Sequence, residues 1–281
     1  MLLAQLKNEL WKLFGKKRTY IGFGAFVVVQ SVMLLMFKYT KWQSHFERML
    51  SGNGYLATDY ISALTVAVVM LWPQIILLMP LYVTLVGGDL VAKEAEDGTL
   101  RMILSRPISR VRLLFVKWLA GIIFAAVLVL ALGVIALIFA RIYFPWKGMF
   151  VFGQTQTDST FGLFPANEGL VLYAFAHLFM AMNAITMLSV AFMFSSFNMK
   201  PAAATILALS FLFVNMVMQR VPFFEDYRNW FITHHFECWF LVFQKPVPWA
   251  RIFESESILL AVCATAFVIG STVFYVRDIK S

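Results

Sequence analysis

The sequence predicts an all-α integral membrane protein: an N-terminal amphipathic interfacial helix followed by six transmembrane helices. Three observations carry this prediction. Of the 281 residues, 61% are hydrophobic and only 14% are charged, against about 45–50% and about 25% in soluble domains. So few charges cannot cover a chain of this size in water, and lipid must be the solvent for much of its surface. Six apolar stretches are each long enough to cross a hydrocarbon layer about 30 Å thick at about 1.5 Å per residue. Lys and Arg gather beside the ends of those stretches, and they do so asymmetrically.

The chain begins with an amphipathic segment. In residues 2–14, Leu3, Leu6, Leu10 and Leu13 share one helical face, while Gln5, Asn8, Glu9, Lys12 and Lys16 fall opposite. That pattern is an amphipathic elbow over residues 1–18, lying in the membrane interface with its bases toward lipid headgroups. The spans are predicted at about 20–37, 61–86, 113–144, 170–194, 202–218 and 258–275. The first comes after Lys16-Lys17-Arg18 with no small-residue cleavage site behind it, and is read as a retained span. The third is longer than a bilayer requires and is expected to tilt or project. Pro73 and Pro80 predict a kink in the second. No repeat or composition break divides the chain, so residues 1–281 read as one membrane domain.

Of the 23 Lys and Arg, 14 lie in the N-terminal segment, the loop 88–112 with Lys117, the turn near Lys200 and the C-terminal tail. The other nine lie in the three opposite loops. Acids run the other way, six against nine, so the two sides carry +8 and 0. The positive-inside rule then puts both termini in the cytoplasm of a multi-pass protein of the plasma (inner) membrane. It makes about 145–169 and 220–257 external. The latter holds Trp230, Phe231, Trp239, Phe240, Phe243 and Trp249 and is expected to form short helices lying back on the membrane surface. No polar face collects the bases, which argues against nucleic acid as a partner.

The cytoplasmic loop GGDLVAKEAEDGTLRMILSRPISR, residues 87–110, is the most informative stretch. Asp89–Asp97 is charged and helix-compatible, and Gly98 suits a left-handed helix end. Thr99 and Ser109 are placed to cap the two helices that begin at them. Pro107 stops the helix between them. The loop therefore reads as a compact helix–turn–helix at the membrane face. Its residues alone equally describe a solvated loop that obeys the charge rule.

This loop resembles the coupling segment of ABC-2 type transporter permeases, in which an acidic helix and Glu-x-x-x-Gly-Thr precede a Leu-rich turn and Arg-Pro-(Ile/Val)-Ser-Arg. The matching residues are Glu94, Gly98, Thr99, Leu100, Leu104, Arg106, Pro107, Ser109 and Arg110, and then Lys117. The elbow, the six spans and the tail FYVRDIK (274–280) extend the similarity along the chain, most nearly to the branch labelled multi-copper enzyme maturation permeases. The resemblance implies an ABC-2 exporter-like fold. It further implies a permease subunit that pairs with a second copy or a homologous chain and docks on two cytoplasmic ABC ATPase subunits. Glu94, Glu96, Gly98, Thr99 and Arg101 would form that contact, with Glu94 as the acid facing the ATPase because the motif holds Glu there. ATP and Mg would reside on the partner, since this chain has no GxxxxGK[ST] phosphate loop and no cofactor of its own is expected. The implied cargo is lipophilic, amphipathic or polymeric and moves outward. The long outer loops fit delivery to an external partner protein or a simple cap.

No catalytic set is expected. Gln30, Gln74, His177, Asn183 and Asn215 are polar positions within or beside spans, where they are costly in lipid. Two roles stay open for them: interhelical hydrogen bonding, or the lining of a translocation path. An intramembrane enzyme would need paired acids or a His–acid set near one membrane face, yet no Asp or Glu lies well inside a span. An ATPase-coupled anchor or mechanotransmitter without cargo would keep the same loop, and this alternative stands beside the exporter. His234-His235-x-Glu237-Cys238 has the residue types of a metal site. Consecutive histidines on a helix point about 100° apart, however, and no distant pair closes a set, so no metal is expected. Cys238 and Cys263 read as unpaired thiols packed as small hydrophobes.

Overall fold

The computed structural model describes residues 2–105, 108–154 and 159–276, apart from the side chains of Arg101 and Leu104. The chain opens with α1 (Leu2–Gly15) and the first span α2 (Lys17–Tyr39). Short helices α3 (Trp42–Gly52) and α4 (Ala57–Tyr60) precede a composite second span of α5 (Ala63–Pro73), a π-helical segment (Gln74–Leu78) and α6 (Met79–Glu96). Helix α7 (Thr99–Leu104) leads to the third span α8 (Arg110–Tyr143). A hairpin of β1 (Met149–Gln154) and β2 (Ser159–Phe164) precedes α9 (Ala166–Ser195) and α10 (Pro201–Met218). A 3-10 segment (Pro222–Trp230) and the one-turn helices α11 (Ile232–His235) and α12 (Cys238–Leu241) then lead to the sixth span α13 (Trp249–Val276). Six of these helices are long and apolar enough to cross a membrane.

Helix α9 is the hub, packed against α5, α6, α8, α10 and α13. Polar pins join it to its neighbours, as is usual where lipid supplies no hydrophobic drive between helices. Ser195 Oγ donates to the Gly88 carbonyl (2.6 Å) and accepts from the Ala92 N–H (2.9 Å). Trp118 Nε1 donates to Ser189 Oγ (2.9 Å). The spans alternate in direction, so the N-terminal face collects α1, the α6–α7 turn, the α9–α10 turn and the end of α13. The opposite face carries α3, α4, the β-hairpin and residues 219–248. The ends are laced by Arg110 to the Tyr275 carbonyl (3.0 Å) on the first face and Lys245 to the Leu163 carbonyl (2.8 Å) on the second.

Four features depart from the sequence expectation or refine it. The second span continues to Glu96 instead of ending near 86, so the acidic helix of the loop is its last turns. Residues 90–96 are mostly good helix formers, and Gly87-Gly88 sit where neighbours approach too closely for a larger residue. A Cβ at Gly87 would fall 2.7 Å from the Leu188 carbonyl oxygen, and one at Gly88 2.4 Å from Thr205 Oγ1. The kink expected from Pro73 and Pro80 is taken up by the π segment between them, which accommodates backbone carbonyls that lose N–H partners. The 145–169 loop contains an antiparallel hairpin, registered from Met149 opposite Phe164 to Gln154 opposite Ser159 and anchored by Phe150 N–H to Thr65 Oγ1 (2.8 Å). The aromatic outer segment divides as well. Trp230 is 84% exposed, but Trp239, Phe240 and Phe243 turn inward, the first two with ring centroids 5.8 and 5.6 Å from Trp72.

Candidate functional site

The hairpin between α6 and α7 is stiff for local reasons. The Asp97 N–H bonds the Lys93 carbonyl (2.9 Å) and the Gly98 N–H the Ala95 carbonyl (3.3 Å). Gly98 has φ +73°, the left-handed conformation that ends many helices and that a Cβ disfavours. Thr99 Oγ1 donates back to the Glu94 carbonyl (3.3 Å), closing the turn instead of capping α7. Ser109 does cap α8, accepting from the Arg112 N–H (3.2 Å). The Arg101 side chain, Arg106, Pro107 and tail residues 277–281 lie outside the described residues.

Beneath this hairpin lies a charge network that joins three elements distant in sequence. Lys117 on α8, with a side chain 1% exposed, reaches Glu94 on α6 (2.7 Å) and Glu9 on α1 (2.9 Å). Lys12 on α1 closes the ring to Glu9 (2.7 Å) and Glu94 (3.1 Å). Two acids and two bases balance, and a buried lysine stays charged only with such partners. Burial alone would raise the Glu9 pKa, but Lys117 and Lys12 outweigh it and hold the carboxyl below its ordinary value. Burial alone would lower Lys12, and Glu9 and Glu94 reverse that, raising it. A second tie pairs Arg18, at the start of α2, with Asp89 on α6.

This geometry bears on the expectation that Glu94 is the acid facing the ATPase. Glu94 turns inward to Lys117 and Lys12, while Glu96 and Asp97 stand at the exposed tip with Lys93 (2.9 and 3.1 Å). Two residues apart on a helix means about 200° of rotation, so only one of the two glutamates faces inward, and the docking of α1 selects Glu94.

Within the spans, three of the five polar residues converge. Gln30 Nε2 donates to Gln74 Oε1 (3.3 Å) and to the Leu132 carbonyl (3.0 Å), and Gln74 Nε2 donates to the Met70 carbonyl (2.8 Å). Gln74 is the first residue of the π segment, a feature often found at functional sites. His177 shares a cavity of about 10 Å³ with Gln74, enough for about one water. Its Nδ1 lies 2.8 Å from the Tyr173 carbonyl, which fixes Nδ1 as the donor. Its Nε2 and Gln30 Oε1 have no hydrogen-bond partner among the described residues. The ring lies across the α8 backbone at Gly133, where a Cβ would fall 2.3 Å from His177 Cδ2. Asn183 and Asn215 do not join this group. Asn183 Nδ2 donates to the Phe236 carbonyl (2.8 Å), and Asn215 Oδ1 accepts from the Ile232 N–H (3.3 Å), so both hold the 219–248 segment against the bundle.

The His234–Cys238 stretch is not arranged as a ligand set: among the described residues no three His, Cys, Asp or Glu side chains converge as metal ligands. Both cysteines are free and buried. Cys238 Sγ donates to Glu256 Oε1 (3.2 Å), and Cys263 Sγ lies 3.4 Å from Thr186 Oγ1.

Six apolar spans with α9 as their hub, an interfacial N-terminal helix and a stiff hairpin at one face define a multi-pass helical membrane protein. The sequence model of the ABC-2 family transporter proteins matches residues 6–225, and the chain belongs to that family. Comparison with curated proteins returns no match.

Proposed function

We propose that the chain is the non-catalytic, membrane-spanning subunit of an ATP-binding-cassette exporter. It forms a dimer with a second copy or a related permease and is driven by separate cytoplasmic ATPase subunits that bind ATP and Mg²⁺. The observation that carries this reading is the Lys117 network. The hairpin is continuous with the second span and locked to α1 and α8, so a push on its tip is not absorbed by local bending. It passes into three elements together as a rigid-body displacement, the type of motion that biases a two-state transporter. Basic residues concentrate on this face, which fits a cytoplasmic location. Glu96, Asp97 and Thr99 form the contact with the ATPase, and Gly98 sets its shape. Gln30, Gln74 and His177, beside the π segment, form the polar step that a lipophilic or amphipathic cargo passes.

The test is purification of the tagged chain in mild detergent, identification of the co-purifying ATPase, and reconstitution of both in vesicles. Lys117→Met should leave ATP hydrolysis running while cargo movement falls at least tenfold. Absence of any bound ATPase, or full transport by Lys117→Met, would overturn the coupling reading.

A further inference from the structure

Most of the leucine stripe of α1 meets the bundle. Leu13 is buried, Leu6, Leu10 and Phe14 pack against the core, and the ring centroids of Phe14 and Phe124 are 5.4 Å apart. Glu9, on the adjoining face, is buried in the Lys117 network. What α1 leaves uncovered includes one continuous edge. Leu3, Lys7 and Trp11 stand four residues apart and so line up along the helix. Leu3 is 79% and Trp11 72% exposed, with Lys7 exposed between them. Lys16 and Lys17 are exposed at the α1–α2 junction, and Tyr20 and Ile21 are exposed where α2 begins. Bases followed by a tyrosine and then an apolar span mark the level of lipid headgroups, and an edge of Leu, Lys and Trp suits insertion among them.

The charges narrow the choice of lipid. Lys12 and Lys117 hold Glu9 and Glu94, and Arg18 holds Asp89. Lys93 pairs with Glu96 and Asp97 at the hairpin tip. Every carboxylate of α1 and α6 therefore already has a basic partner. Lys7, Lys16 and Lys17 have no ion-pair partner among the described residues. Three ammonium groups without carboxylates, beside two exposed apolar side chains, are complementary to a surface that is both lipophilic and negatively charged. A base near an anionic leaflet gains about fivefold in affinity, whereas a zwitterionic headgroup carries no net charge to reward it.

We propose that the Leu3–Lys7–Trp11 edge, with Lys16 and Lys17, binds anionic phospholipid in the leaflet on the hairpin's side. The three lysines take the phosphates, and Leu3 and Trp11 lie among the headgroups. Helix α1 is the element that Glu9 ties to Lys117 and, through it, to Glu94 on α6. Docking fixes Lys7 relative to Lys16 and Lys17, so docked α1 presents all three to one membrane surface. Lipid that binds the docked helix better than the detached one stabilises the docking by linkage. The charge of the leaflet then sets how firmly the hairpin is held.

The test uses the full-length protein in nanodiscs of phosphatidylcholine, with and without phosphatidylglycerol, and needs no ATPase. Native mass spectrometry reads retained phosphatidylglycerol, and hydrogen exchange of residues 2–15 reads the docking of α1. Phosphatidylglycerol is expected to slow that exchange at least tenfold at low salt. Most of the effect should vanish in about 0.5 M salt, where exposed charges are screened within a few ångströms. A variant with Lys7→Gln, Lys16→Gln and Lys17→Gln should match wild type in phosphatidylcholine, lose the response and retain less phosphatidylglycerol. Lys38→Gln with Lys41→Gln, on the opposite face, should keep the response. Equal exchange in both lipid compositions, a response indifferent to salt, or a full response by the triple variant would overturn the proposal. The salt arm uses the wild-type chain, so the outcome does not depend on how the variants fold.

Discussion

Lys117 shows at the scale of one residue how a charge is retained in an apolar bundle: two carboxylates approach within 3 Å from α1 and α6. Removing one member of such a buried group leaves the others uncompensated, typically at a cost of about 3–5 kcal/mol. Lys117→Met is therefore expected to lower thermal stability in detergent and expose the α1–α2 junction to protease. Adding Glu9→Gln and Glu94→Gln should recover most of the loss, because the stranded charges then disappear. A triple variant as unstable as the single one would mean that Lys117 acts by packing alone. The Gln30–Gln74–His177 group calls for a milder change. Gln74→Leu strands Gln30 at a cost of about 1–2 kcal/mol, so the protein should still assemble. A path-lining role requires transport in vesicles to fall while basal ATP hydrolysis holds, and a parallel loss of folded protein would assign Gln74 to structure.

For the α6–α7 hairpin as an element, the two glutamates separate its two proposed roles, docking of α1 and contact with an ATPase. Glu94→Arg places a third base beside Lys12 and Lys117 and should destabilise the docking of α1. Glu96→Arg changes only the exposed tip and should leave melting unchanged while weakening ATPase binding more than tenfold in a pull-down. If Glu96→Arg binds normally and Asp97→Arg does too, the tip is not the contact. Gly98→Val should destabilise the turn by about 1–2 kcal/mol through the strain of positive φ, since nothing lies within 4 Å of a Cβ placed there. The attachment of α1 also has a defined pH dependence. Glu9 is held below 4.5 in the fold, so its contribution is complete above that value and drains away as pH falls through the folded pKa. Lys12 is raised above 10.5, so its contribution persists below that value and is lost only as pH rises through the folded pKa. Hydrogen exchange of residues 2–15, after correction for intrinsic rates, should be flat across neutral pH and accelerate only once pH has fallen below the ordinary carboxylate range. Unchanged protection at low pH would remove Glu9 from the set of anchoring contacts.

The whole molecule divides its loops between two faces, and the base count predicts which of them is cytoplasmic. In a background carrying Cys238→Ala and Cys263→Ala, cysteines placed at Asn53 and Asp226 should react with an impermeant maleimide added outside intact cells. Cysteines at Lys7 and Asp97 should react only after permeabilisation. Labelling of position 97 from outside would invert the orientation and remove the hairpin from any cytoplasmic partner.

The sequence by itself determined the solvent, the number of spans, the interfacial helix, the Gly98 turn and the Ser109 cap. Each comes from a rule that acts locally: lipid demands unbroken apolar helices, and a helix end demands particular residues within a few positions. The hairpin of β1 and β2 escaped that reading because its short, Gly-interrupted strands become apolar on one face only once Phe150 and Phe164 meet the bundle. Tertiary structure alone decided that Glu94 turns inward and Glu96 outward. It also gathered Gln30, Gln74 and His177 while Asn183 and Asn215 went to the outer segment, and it turned Leu6, Leu10 and Leu13 of α1 to the bundle so that Lys7 and Trp11 stay outside. The physical reason is common to all three. The rotation of a helix about its axis, and the partner of a buried polar group, are set by packing against elements up to about a hundred residues away, and no local pattern encodes that choice.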